Sequence, residues 1–176
     1  MEEATLTLIS ENTNNLLTLI PSHEENKKAV FELNKDGALG QDDFGAIFFQ
    51  TFWNIIKKDV CNPVIDFFTK RWMPHTFNSN TIVLIPKTKH TDTVEQFRPI
   101  ALANFKFNII TKILADRLAP IMKTIISEEQ RIFIQGRNIR DCICTTSEAI
   151  NLFHNRSFGG NVAFKVDIAK AFDTLE

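Results

Sequence analysis

The 176-residue chain has only three cysteines, Cys61, Cys142 and Cys144. Three are too few for a disulfide framework. The Cys142-Ile143-Cys144 spacing is too tight for ordinary zinc pairing, and no second pair follows it. They read as small semi-buried thiols in a reducing compartment. No run of about eighteen apolar residues occurs, so no membrane span is expected. The N-terminus, with Glu2 and Glu3, lacks the basic, apolar and small-residue order of a signal peptide. Internal repeats, low-complexity tracts and Gly/Ser linkers are also missing. What is present is a globular balance, 44% hydrophobic and 23% charged, in a chain long enough for one domain with its own core.

The net charge of −1 conceals an uneven distribution. Residues 1–45 hold three Lys against nine Asp and Glu, a balance of −6. Residues 46–140 hold fourteen Lys and Arg against seven acids, +7, and residues 141–176 hold three against five, −2. A basic middle between acidic ends is compatible with a polyanionic partner, and equally with a solvated helix surface.

Ser22-His23-Glu24-Glu25 after Pro21 has the form of a capping box and predicts a helix through about Leu33. Asn34 to Phe44, rich in Gly and Asp, reads as a loop. Apolar residues then recur at Ile47, Phe48, Phe52, Ile55 and Ile56 with helical spacing. Pro63 is expected to begin a second helical piece. Thr81 to Ile85 is a β-branched run stopped by Pro86, hence a strand. Phe105, Ile109 and Ile113 mark a helix to about Leu118, which Pro120 should end or kink. A further helix is expected over Thr145–His154. Gly159-Gly160 then turns the chain into an expected strand, Val162–Asp167, followed by helical Ala169–Leu175. The fold class is α+β, mostly helical.

A strand that delivers Asp167 at its end can hold a divalent cation, with the Ile168 carbonyl as a further ligand. Mg²⁺ favours one or two carboxylates plus substrate phosphates. One carboxylate alone makes a poor site, and by spacing alone an aspartate there more often caps the next helix. Phe172-Asp173-Thr174-Leu175 is also similar to the start of a haloacid dehalogenase. That chemistry needs aspartates two apart, and position 169 is alanine.

Lys165-Val166-Asp167-Ile168-Ala169-Lys170-Ala171-Phe172-Asp173 resembles the first catalytic motif of reverse transcriptases, in the version of plant non-LTR (LINE-type) retrotransposons. Other segments resemble further blocks of that family, in the family's order. Leu84-Ile85-Pro86-Lys87 resembles the strand with which the domain begins, and Phe97-Arg98-Pro99-Ile100-Ala101-Leu102 its fingers signature. Lys112 to Leu118 resembles the following helix, and Gln130 to Arg137 the next loop. Asp36 to Phe44 resembles the segment that precedes the domain. The resemblance implies the fingers and the start of the palm of a right-hand polymerase, with a helical segment over 1–80 and a partial polymerase domain over 81–176. It implies two-metal phosphoryl transfer with Mg²⁺ or Mn²⁺, with Asp167 as a shared metal ligand beside Ile168. Phe172 would lie under the incoming sugar, where a ring excludes a 2′-hydroxyl. Lys87 and Arg98 would lie near the template or incoming triphosphate, and Gly136 and Arg137 at the nucleic-acid backbone. The implied partners are an RNA template, a DNA primer and deoxynucleoside triphosphates, without a membrane, in the nucleus or cytoplasm.

The departures are specific. Leu39 and Gln41 stand where the family has prolines, and Asp43 where it has glycine, so this loop should be looser or differently bent. Ile132 replaces a small residue. The paired-aspartate motif and thumb are expected downstream of Glu176. A chain ending there is expected to be a truncated reverse transcriptase, inactive alone. The rival readings are a non-catalytic nucleic-acid-binding or interaction fragment, and a translated relic.

Overall fold

The computed structural model describes residues 9–155 and 159–166. They fall into two compact units, Met1–Ser127 and Glu128–Glu176.

Four of the five described α-helices of the first unit share one core, and the first of the five contributes no buried residue to it. Helix α1 (Glu11–Thr18) opens on Ser10, whose hydroxyl accepts the Thr13 N–H at 3.2 Å. Helix α2 (His23–Glu32) opens as the capping box predicts, with Ser22 accepting the Glu25 N–H at 3.1 Å. A short α3 (Ala46–Thr51) leads through Phe52 into α4 (Trp53–Lys70). The break lies at Phe52, not at Pro63, which sits inside α4. A proline removes one backbone donor and leaves the carbonyl four residues back without its partner. That carbonyl belongs to Asp59, an exposed residue where water can replace the bond. Pro120 behaves alike: it lies exposed within the helix Phe105–Ile125 (α5), which continues past the expected end.

The core forms where these helices meet. Val30 of α2, Val60 and Val64 of α4, and Ile109 and Ile113 of α5 are all buried. Phe49 of α3 stacks on Phe105 of α5, with centroids 3.9 Å apart and planes within 10°. Gln50 is buried beside them, and its side-chain amide Nε2 donates to the Val30 and Leu33 carbonyls at 2.8 and 3.1 Å, closing the C-terminal end of α2. Those carbonyls have no helical partner, so a side-chain amide is an effective cap.

Between α4 and α5 the chain makes a two-stranded antiparallel sheet, β1 (Asn80–Pro86) with β2 (Phe97–Ala103), in the register Ile85↔Arg98 and Val83↔Ile100. The sequence marks β1 clearly. It hides β2, because Pro99 interrupts the run; proline is tolerated on edge strands, and both strands of this sheet are edges. Apolar residues on both faces of the sheet are solvent-exposed, among them Ile82, Leu84 and Ile100.

The loop from Asn34 to Gly45 is pinned against the junction of β2 and α5. The Asp42 N–H donates to Asn104 Oδ1 at 3.2 Å, and the Phe105 N–H to Asp42 Oδ2 at 3.4 Å, so Asp42 caps α5. Asn104 Nδ2 donates to the Thr76 carbonyl at 2.6 Å. Asp43 takes φ +57°, a left-handed conformation for which glycine is usual. Gly40 lies so close that an added Cβ would stand 2.7 Å from the Ala103 carbonyl carbon and 2.8 Å from Asn104 Cα.

In the second unit, α6 (Ile139–Leu152) is capped by Asn138, whose side chain accepts the Arg140 N–H at 3.0 Å. The helix therefore starts six residues before the predicted Thr145. Residues 162–166 form no strand, contrary to the expectation for Val162–Asp167. A strand is stable only with a hydrogen-bonded neighbour, and no described residue pairs with this segment. Asp167 and the expected helix Ala169–Leu175 lie outside the described residues.

Arg117 of α5 links α1 and α2 to the core. Its Nε and Nη2 donate to Glu25 Oε1 and Oε2 at 2.7 and 2.8 Å, and Nη1 donates to the Leu17 and Leu19 carbonyls at 3.0 and 2.6 Å. The Arg117 hydrogen bonds hold the Glu25 carboxyl below the usual carboxylate range. Lys112 does the same for Glu32.

Two predictions follow from this packing. Gly40→Ala should lower unfolding stability by about 1–3 kcal/mol, the scale of an overpacked site against rigid backbone, read by urea denaturation. Glu25→Gln should destabilise by about 1–2 kcal/mol at neutral pH, since the pair is partly exposed. A carboxyl held low in the fold contributes stability above its unfolded value, about pH 4.3, and loses it as pH falls through the folded value. The gap between Glu25→Gln and the parent should therefore narrow in melts at progressively lower pH.

Candidate functional site

Lys87 and Arg98 come together at one end of the β hairpin. The Lys87 N–H donates to the Gln96 carbonyl at 2.8 Å, extending the ladder one step beyond Pro86, and Arg98 lies opposite Ile85. The connection from 87 to 96 is ordered by its own side chains. Lys87 Nζ donates to the Glu95 carbonyl at 2.8 Å, and Gln96 Oε1 accepts the Asp92 N–H at 2.7 Å. Thr93 and Gln96 form a capping box around the short 3-10 turn Val94–Gln96.

The two cations differ in how they are held. Lys87 is tied to the loop. Arg98 is exposed, and its side chain makes no hydrogen bond or ion pair among the described residues. A guanidinium in that state presents a planar fork of donors suited to a phosphate or carboxylate. The arrangement can therefore bind an anion at the end of the hairpin.

Gly136 and Arg137 lie in the second unit. Gly136 takes φ +85°, a turn position that a side chain would strain. The Arg137 N–H donates to the Ile134 carbonyl at 3.0 Å and its Nη1 to the Gln130 carbonyl at 2.7 Å, so this arginine closes the loop 130–137. Ile132 in that loop is exposed, which accommodates the larger side chain.

Asp167, Ile168 and Phe172 lie outside the described residues. Among the described residues no three His, Cys, Asp or Glu side chains could hold one metal ion. No helix of the described residues is long and apolar enough to cross a membrane. Sequence reasoning did not single out Gly40, Asp42, Asn104 or Arg117. Asp42 and Arg117 sit in segments that motif comparison did mark, but their partners are 62 and 92 residues away.

Residues 85–176, more than half of the chain, match the family described as "Reverse transcriptase (RNA-dependent DNA polymerase)". Over 172 residues the chain is 24% identical to the "Transposon TX1 uncharacterized 149 kDa protein" of Xenopus laevis. That alignment takes in 97% of this chain and 13% of the relative, so the chain spans a small part of the length of the protein it matches.

The two hairpin cations should respond differently to substitution. Arg98→Ala should leave stability within about 0.5 kcal/mol, as expected for an exposed side chain without partners. Lys87→Met removes the bond to the Glu95 carbonyl and should speed amide hydrogen exchange across residues 88–96 with little change elsewhere. Equal exchange in the two variants would show that the Lys87 bond does not order the loop.

Proposed function

The chain belongs to the reverse transcriptase family, and on that premise we propose that it supplies the front of a retroelement RNA-directed DNA polymerase. The observation that carries this reading is the family match over residues 85–176, which includes Lys87, Arg98, Gly136, Arg137, Asp167, Ile168 and Phe172. The similarity to a transposon protein supports the retroelement origin. The finer assignment, a LINE-type element of plant kind, rests on the motifs quoted above. So does the division into a helical segment over 1–80 and fingers with the start of a palm over 81–176.

In this reading the hairpin belongs to the fingers. Arg98, with its free donor fork, contacts a phosphate of the template or of the incoming deoxynucleoside triphosphate. Lys87 adds positive charge while holding its loop. The turn at Gly136 lets backbone approach the RNA template or DNA primer, and Arg137 fixes that turn. The Phe172 ring discriminates against a 2′-hydroxyl on the incoming sugar. Asp167, with the Ile168 carbonyl, is a ligand for Mg²⁺ or Mn²⁺, which when bound stabilises charge on the attacking and leaving oxygens. The described residues do not assemble a carboxylate cluster for such ions. A two-ion site needs several carboxylates, so we expect the 176-residue chain by itself to be inactive and not to retain the ion stably.

The test is primer extension on an RNA template. The purified chain should give none with Mg²⁺ or Mn²⁺. A chimera carrying a family-type downstream segment, with its paired aspartates and thumb, should extend the primer. In the chimera Asp167→Asn should remove extension while leaving primer-template affinity within about twofold, because the lost charge is a metal ligand. Phe172→Ala should mainly relax discrimination against ribonucleotides. Extension by the 176-residue chain that Asp167→Asn abolishes would overturn the claim of inactivity. A chimera whose extension is indifferent to Asp167→Asn would overturn the assigned role.

A further inference from the structure

A cleft between α2 and α4 gathers cations that the carboxylates of the fold leave unneutralised. His23 and Lys27 stand one turn apart on α2. Trp53 with Lys57, and Asn54 with Lys58, are spaced in the same way on α4. Together with Glu24 they line a cavity of about 350 Å³. The ion pairs among the described residues engage Lys28, Lys70, Lys112 and Arg117. Lys27, Lys57 and Lys58 take part in none of them. Glu24 is the single acid at the cleft, so with neutral histidine the lining carries three positive charges against one negative.

The wall of the cleft is firm. Trp53 is 7% exposed and held edge-on against Phe31, with centroids 6.2 Å apart and planes at 83°. Neighbouring Val60 and Cys61 anchor the same helix in the core. The three lysines thus line one space from helices anchored in the core. A bound anion would offset their charges. Each ammonium offers three donors and a compact charge. The first turn of α2, contributed by His23 and Glu24, adds the positive end of a helix dipole. The volume is in the range of a small-ligand pocket and exceeds what one phosphate needs.

We propose that this cleft binds a phosphate group, either of a nucleic-acid backbone or of free phosphate. The site shares no lining residue with the hairpin cations and does not depend on the polymerase reading. Nucleic acid engages it by setting one phosphate among Lys27, Lys57 and Lys58, with the adjoining sugar against Asn54 and the rim of Trp53. Recognition is of charge, so it carries no sequence preference.

The experiment compares the full chain with two triple variants of equal net charge. One is Lys27→Gln, Lys57→Gln, Lys58→Gln in the cleft. The other is Lys35→Gln, Lys70→Gln, Lys106→Gln elsewhere on the same unit. Binding of a fluorescein-labelled twelve-nucleotide polyuridine RNA is followed by anisotropy, and inorganic phosphate is tested by thermal shift against chloride at matched ionic strength. If the backbone is the source, the cleft triple should bind RNA at least about tenfold more weakly, and its log–log salt slope should fall by about 0.7, the share of one neutralised phosphate on a single strand. The other triple should change by less than about twofold. If free phosphate is the source, RNA binding responds equally in both triples, while stabilisation by phosphate is lost only in the cleft triple. Because the lysines are exposed, the cleft triple should melt no lower than the parent in chloride, which separates loss of the site from loss of the fold. Equal responses of the two triples in both assays would overturn the proposal. So would the absence of both RNA binding and phosphate stabilisation in the parent chain.

Discussion

The approach of Gly40 to the Ala103–Asn104 backbone is the constraint on which the first unit depends. At this point a loop, the end of β2 and the start of α5 share a space that admits no Cβ. Asn104 binds in two directions, to the Asp42 N–H and to the Thr76 carbonyl. Asp42 in turn caps α5. The junction therefore sets where α5 begins relative to the chain before and after α4. The Phe49–Phe105 stack lies directly beside it and carries that placement into the apolar core.

Polar ties and apolar burial have divided roles. Burial of Val30, Val60, Val64, Ile109 and Ile113 supplies non-directional stabilisation. It does not by itself select one arrangement of helices. Gln50 closing α2, and Arg117 binding both Glu25 and the carbonyls after α1, supply direction. Hydrogen bonds to charged groups are geometrically demanding, and losing one partner leaves the other poorly solvated. These contacts join segments that lie far apart in the chain, so the helices before β1 and the helix after β2 share one core.

The chemistry-bearing side chains sit outside that core. The hairpin presents Lys87 and Arg98 at one end, and the α2–α4 cleft of the same unit is lined by Lys27, Lys57 and Lys58. The positive balance of residues 46–140 is thus only partly consumed by ion pairs. The fold positions such groups through rigid neighbours: a ladder hydrogen bond for Lys87, a buried tryptophan for the cleft.

The sequence by itself determined the local elements and the family. The capping box at Ser22, the helical spacing of Phe105, Ile109 and Ile113, and the β-branched run before Pro86 are short-range signals, and the structure keeps all three. The ordered series of motifs identified a reverse transcriptase from residues alone. Short-range signals failed at Pro63, where tertiary packing carries a helix through a missing hydrogen bond. They also failed for residues 162–166, whose apolar run forms no strand because strand formation depends on a neighbour. Only the tertiary structure decided that Glu25 meets Arg117, that Gly40 must lack a side chain, and that lysines 27, 57 and 58 line one cleft. Each of these follows from helix packing across tens of residues, and neither periodicity nor composition encodes which distant face a helix will meet.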